Sequence, residues 1–168
     1  MIRYPSYLCY ELLRSYEETN DPNATEVKAI VRNIFKNNEP TIHTDEMKRF
    51  FYGAYEELDD IIAFLKSVNL VDLRSQKNVM LRDVKKAYFV TSFGVEKIED
   101  ALTKVAAAQW YTDRCKLIKR YFGDMSGTDL KRRQYDIEQY KDTPLGRYIA
   151  DIEDQVREKY STFFGETL

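Results

Sequence analysis

Five basic side chains, Arg74, Lys77, Arg82, Lys85 and Lys86, fall in the stretch 72–86 against only two acids, Asp72 and Asp83. A local excess of cations on a short ribbon suits the phosphate oxygens of nucleic acid; the plainer reading is a solvated ribbon. Lys48, Arg49, Tyr52 and Tyr55 precede the next helical run and could join such a contact from a helix N-terminus. A second basic group, Arg114, Lys116, Lys119, Arg120, Lys131, Arg132 and Arg133, lies well downstream. Against these stand Glu56, Glu57, Asp59 and Asp60, which repel phosphate and suit a protein partner better than a base edge.

Catalytic chemistry finds little to work with. There is no glycine-rich phosphate loop, no nucleophile elbow and no His–Glu pairing at metal spacing, and the single histidine, His43, has no partner near it in sequence. The carboxylate pairs Glu56/Asp60 and Asp59/Asp60 read as a solvated helix face. Cys9 and Cys115 are far apart and read as reduced thiols. The expectation is a protein that is not an enzyme, with no cofactor and no metal.

The elements that must position the basic ribbon follow from periodicity. Thr44 can cap a helix carrying Met47, Phe50 and Phe51, which ends at Gly53. Leu58, Ile61, Ile62, Leu65 and Val68 then recur at spacings of three and four, predicting an amphipathic helix over 55–68 with an acidic outer face. Asn69, which tolerates a left-handed backbone, closes it. Leu70, Val71 and Leu73 alternate like a strand, 79–81 and 87–90 are runs of strand formers, and Thr91 or Ser92 can cap the helix that follows.

Read in chain order, Ser6 opens a helix with Leu8, Leu12, Leu13 and Tyr16 on one side, and a second helix over 24–37 buries Val27, Ile30, Val31, Ile34 and Phe35. A continuous helix is expected over 95–122, with Ala106, Ala107 and Ala108 beside Trp110 as a dimer surface. A charged helix follows over 128–142 from Ser126 or Thr128. The last helix is capped by Thr143, starts at Pro144 and is amphipathic through Leu145, Ile149, Ile152, Val156, Tyr160 and Phe163.

The segments 65–71 (LKSVNLV) and 88–99 (YFVTSFGVEKIE) together resemble the winged helix-turn-helix of bacterial MarR-type and PadR-type regulators. Thr91 and Gly94 match the Thr-x-x-Gly turn with which the second wing strand of those families enters its next helix, and Asn69 stands where they usually carry glycine. The segment 116–124 (KLIKRYFGD) is similar to the C-terminal helical region of PadR-type proteins. The resemblance implies a recognition helix in the major groove, a wing on the backbone, and a dimer.

Composition sets the bounds. With 168 residues, 26 basic and 28 acidic, there is no global electrostatic pull toward nucleic acid, so any basic surface is local. A hydrophobic content of 43% with 13 tyrosines and nine phenylalanines is that of a folded chain. No run approaches the roughly 20 apolar residues of a membrane span, and residues 1–13 are too polar for a signal peptide, so a cytoplasmic location is expected.

The sequence therefore predicts a mainly α fold with a small β-wing: an N-terminal accessory helix (1–22), a winged helix-turn-helix domain (23–100) and a C-terminal helical dimerisation region (101–168). The expected function is that of a non-catalytic, double-stranded-DNA-binding transcriptional regulator acting as a homodimer. Its DNA-contacting residues would be Lys48, Arg49, Tyr52, Tyr55, Arg74, Lys77, Arg82, Lys85 and Lys86. The alternative is a winged-helix adaptor that takes a protein partner through the acidic helix 55–68 and binds no DNA.

Overall fold

Leu8, Leu12 and Leu13 repeat at helical spacing and are fully buried, and the helix that carries them, α1 (Pro5–Thr19), packs against both α2 (Ala24–Lys36) and α8 (Glu153–Phe164). A computed structural model describes residues 4–19, 24–36, 47–50, 53–54, 59–77 and 84–168. Among these residues the chain is mostly helical, with two separate two-stranded antiparallel ribbons. It divides into two compact units, Met1–Tyr55 with Tyr111–Leu168, and Glu56–Trp110. This division cuts through the 23–100 segment expected to form one domain.

The larger unit owns the core. Val27 and Val31 of α2, Phe122 of α5 (Ala106–Phe122), and Val156 and Tyr160 of α8 close around α1. The helix expected as an accessory is thus the central one, because its buried side extends beyond the leucine stripe to Ser6, Cys9, Glu11 and Ser15. Aromatic side chains seal the junction with α8, where Tyr16 meets Phe163 edge-on at 5.8 Å and Phe164 at 5.7 Å.

Four expected helices are corrected. Around residues 47–53, Arg49–Phe50 (β1) instead pairs with Gly53–Ala54 (β2), Arg49 opposite Ala54 and Phe50 opposite Gly53; Thr44 lies outside the described residues. The proposed helix start at Pro144 fails for a linked reason. The chain there runs back along residues 47–49, with the Ile149 N–H on the Met47 carbonyl at 2.7 Å and the Arg49 N–H on the Arg147 carbonyl at 2.9 Å. Met47 and Ile149 are buried by this pairing, so an apolar spacing that read as helical belongs to a bridge, and α8 begins only at Glu153.

The long helix over 95–122 is broken at Val105, whose extended backbone (φ −127°, ψ 109°) separates α4 (Ser92–Lys104) from α5. No glycine or proline marks the break. A β-branched valine follows Thr103, whose hydroxyl donates to the Asp100 carbonyl at 2.7 Å, and both residues hold helix weakly. The charged helix is likewise split, into α6 (Gly127–Tyr135) and α7 (Glu138–Asp142), because Ile137 turns extended as it enters the core. Its start is as expected: Ser126 and Asp129 form a reciprocal capping box.

Charge is buried in the larger unit beside α1. Arg133 of α6 donates from Nε to Glu11 Oε2 at 2.5 Å and from a terminal nitrogen to Glu18 Oε2 at 2.6 Å; Arg14 reaches Glu18 at 2.9 Å and Asp136 at 2.7 Å. Arg133→Ala leaves the Glu11 carboxylate buried without its closest cation, and is expected to cost on the order of 3 kcal/mol by denaturant unfolding. The double variant Glu11→Leu/Arg133→Met should recover most of that loss.

Burial by itself would raise the Glu18 carboxyl, but the hydrogen bonds from Arg133 and Arg14 outweigh it and hold the pKa below the usual 4.5. A carboxylate depressed on folding stabilises fully above its unfolded pKa and loses that contribution as pH falls through the lower folded value. Thermal stability should therefore drop below about pH 4.5, and Glu18→Gln should flatten that part of the profile.

Candidate nucleic-acid interface

Four of the expected contact residues share one ribbon in the smaller unit. It begins where α3 (Asp59–Ser67) ends: Asn69 takes the left-handed conformation (φ 58°) expected of it, and the Leu70 N–H closes on the Leu65 carbonyl at 2.9 Å. β3 (Val71–Lys77) then pairs antiparallel with β4 (Val84–Val90) along its whole length. The register sets Arg74 opposite Ala87, Lys77 opposite Val84, Lys86 opposite Ser75 and Lys85 opposite Gln76. Strand alternation puts Arg74 and Phe89 on the same side, and the guanidinium lies 4.9 Å from the Phe89 ring centroid.

The base of the ribbon is held by one junction. The Thr91 hydroxyl donates to the Asn69 carbonyl at 2.6 Å and accepts from the Gly94 N–H at 2.9 Å, while the Thr91 N–H donates to the Leu70 carbonyl at 3.1 Å. One threonine thus ends α3, closes the hairpin and caps α4. A Cβ on Gly94 would stand 2.3 Å from the Leu70 carbonyl oxygen and 2.9 Å from Val90 Cγ1, so only glycine lets helix and strand approach this closely. The cap expected at Thr91 is formed.

The other expected residues are placed differently. Lys48 and Arg49 belong to the larger unit, so the set is divided between two units. Lys48 is exposed and bridges to Tyr148. Arg49 is half-buried: its guanidinium donates to the Lys141 and Thr143 carbonyls at the end of α7 and lies 5.7 Å from the Tyr135 ring centroid. That is the geometry of a cation satisfying a helix C-terminus. Tyr52, Tyr55 and Arg82 lie outside the described residues, as does His43.

α3 is acidic in its first turn and basic in its last, at Lys66. Asp59 and Asp60 occupy its first turn, where they complement the helix dipole, and no residue of α3 is buried. Ile61, Phe64 and Val68 form an outward stripe with Phe64 63% exposed. Sequence reasoning missed this stripe by counting the helix as two-sided. The signal was there: Ile61, Ile62, Phe64, Leu65 and Val68 wrap apolar residues around more of the circumference than one face needs.

Elsewhere, burial pushes the Cys9 thiol up to about 12 against the opposing pull of Arg114, which makes it a core residue rather than a nucleophile. Cys115 is exposed and free. Among the described residues no group of three or more His, Cys, Asp or Glu is placed to hold a metal ion, and no helix is long and apolar enough to cross a membrane. Comparison with family models, with curated proteins and with solved structures gave no match.

In an ordinary helix Gly→Ala stabilises by nearly 1 kcal/mol. Gly94→Ala should do the reverse, destabilising by about 1–3 kcal/mol through overpacking against Leu70. Hydrogen exchange should show the loss of protection in β3, β4 and the first turn of α4, with α1 and α8 unchanged.

Proposed function

We propose that the chain is a non-catalytic duplex-DNA-binding regulator that engages DNA through the β3–β4 ribbon rather than through α3. The observation that carries this reading is a cation-rich two-stranded ribbon fixed at its base by the Thr91–Gly94 junction. A ribbon of this kind fits a groove while its lysines and arginines meet phosphates on either side. Pre-organisation matters, since a ribbon already paired loses little conformational entropy on binding. α3, acidic at its start and apolar along its outer stripe, would be repelled by the backbone and is assigned no base contacts.

A second reading is supported by that same outer stripe: an adaptor whose smaller unit docks on another protein, with the basic ribbon serving solubility. Ionic strength separates the two, because phosphate binding weakens steeply with salt and an apolar interface does not.

Binding to random-sequence duplex across a salt series is the test. A log–log slope of roughly −3 to −5 is expected for the ribbon's cations, and Arg82→Ala/Lys85→Ala/Lys86→Ala should flatten it by about 2–3. Absence of binding at low salt would favour the adaptor, and a slope unchanged in the triple variant would remove the ribbon from the mechanism.

A further inference from the structure

The outer face of α2 carries cations and no acid. Thr25, Lys28, Ala29, Arg32, Asn33 and Lys36 recur at spacings of three and four, opposite the buried Val27, Val31 and Ile34. The three basic residues follow one another at about 6 Å of helix rise per step. The one acid of α2, Glu26, lies off this face and takes both terminal nitrogens of Arg120, at 2.5 and 2.8 Å. Thr25 and Ala29 are too short to fill the space between the long side chains, and the six residues line an open cleft of about 520 Å³.

One end of this row of cations already holds a carboxylate. After α8 the chain turns at Gly165, whose left-handed backbone (φ 66°) ends the helix, and Glu166 reaches back to α2. Its Oε1 accepts from Lys28 Nζ at 2.6 Å and its Oε2 from Arg32 Nη2 at 2.9 Å. Arg157 holds the same stretch through the Leu168 carbonyl at 2.7 Å, and Leu168 packs against the core. The fit is incomplete. By dividing its oxygens between two cations, Glu166 leaves Arg32 Nε buried without a protein acceptor, although Nε and Nη2 make an edge that can take a carboxylate through two parallel bonds. Lys36 stands exposed one turn further along the cleft.

We infer that the outer face of α2 is a docking site for an acidic segment of a partner protein, which takes Lys28 and Arg32 from Glu166 and sets a second carboxylate against Lys36. Charge selects an anion, since three cations on the face meet one carboxylate. The cleft selects a polypeptide. The anion it already accepts is a side-chain carboxylate, and Thr25 and Ala29, with the methylene stems of the cations, offer apolar contact that suits a peptide better than a sugar–phosphate chain. Exchange is open to it because Glu166 is exposed and exposed ion pairs are weak. The site lies in the larger unit and does not rest on the DNA reading.

Anisotropy of labelled octaglutamate, titrated with the full chain at one low ionic strength, is the test. The wild-type chain should bind octaglutamate and not octaglutamine. Glu166→Gln removes the internal competitor and should tighten binding by about three- to tenfold, whereas Lys36→Gln should weaken it by about two- to fivefold and Arg32→Gln by more. Lys85→Gln/Lys86→Gln, in the ribbon, should leave it unchanged. Amide resonances of the unmodified protein guard against variants that fail to fold: octaglutamate should shift residues 25–36 together with 165–166, and leave β3 and β4 in place. Absence of octaglutamate binding overturns the inference. So does binding that Glu166→Gln fails to tighten, binding indifferent to both Lys36→Gln and Arg32→Gln, binding lost in the ribbon variant, or shifts on α2 produced by duplex DNA and not by octaglutamate.

Discussion

Glu11 is 3% exposed in the middle of a helix whose neighbours are leucines, and a carboxylate in that position must be met or the helix cannot be central. Arg133, 122 residues away in the chain, meets it, and Glu18, Arg14 and Asp136 extend the pairing to the surface. The pair commits α6 to one position against α1. Apolar burial tolerates many arrangements of α1, α2, α5 and α8, whereas a planar guanidinium on a buried carboxylate accepts very few. A hydrophobic pair of similar volume could be as stable, so the ion pair is better understood as setting register than as adding strength.

The smaller unit is specified in the opposite way, by local chemistry. Asn69 at a left-handed position, Thr91 as a cap shared by three elements and Gly94 at a contact no side chain could enter are each sequence-local, and each agrees with the hairpin they border. Such consistency fixes a shape without providing stability. Two kinds of specification therefore coexist in one chain: a unit whose pairing is long-range and buried, and a unit whose geometry is local and whose apolar surface faces outward.

This difference explains what the sequence revealed. α2, α3, the β3–β4 ribbon, the turn at Asn69 and the cap at Thr91 were all legible, because the determining residues lie within a few positions of one another. The bridge between residues 47–49 and 146–149 was not, because Met47, Leu145 and Ile149 carry spacings equally compatible with helix and only the distant partner decides. Val105 was missed for want of a glycine or proline. Of the proposed contact residues, the ribbon positions came together because they are neighbours in sequence, whereas Arg49 turned inward to carbonyls of a segment some ninety residues downstream, where no local pattern could point. The outward stripe of α3 was legible as an excess of apolar residues and was misassigned to the interior.

The larger unit is discontinuous, with Glu56–Trp110 inserted between its two halves. On the ribosome, α1 and α2 emerge before Phe122 and Tyr160, which cover them in the folded core, so they must wait as an exposed apolar pair. The inserted residues, by contrast, have every determinant of their hairpin at hand as soon as they appear. Once paired, the ribbon brings its own ends together and shortens the effective loop that α5 to α8 must close, lowering the entropic cost of reaching back to α1. A discontinuous unit of this kind completes its core only after the segment inserted in it has been made.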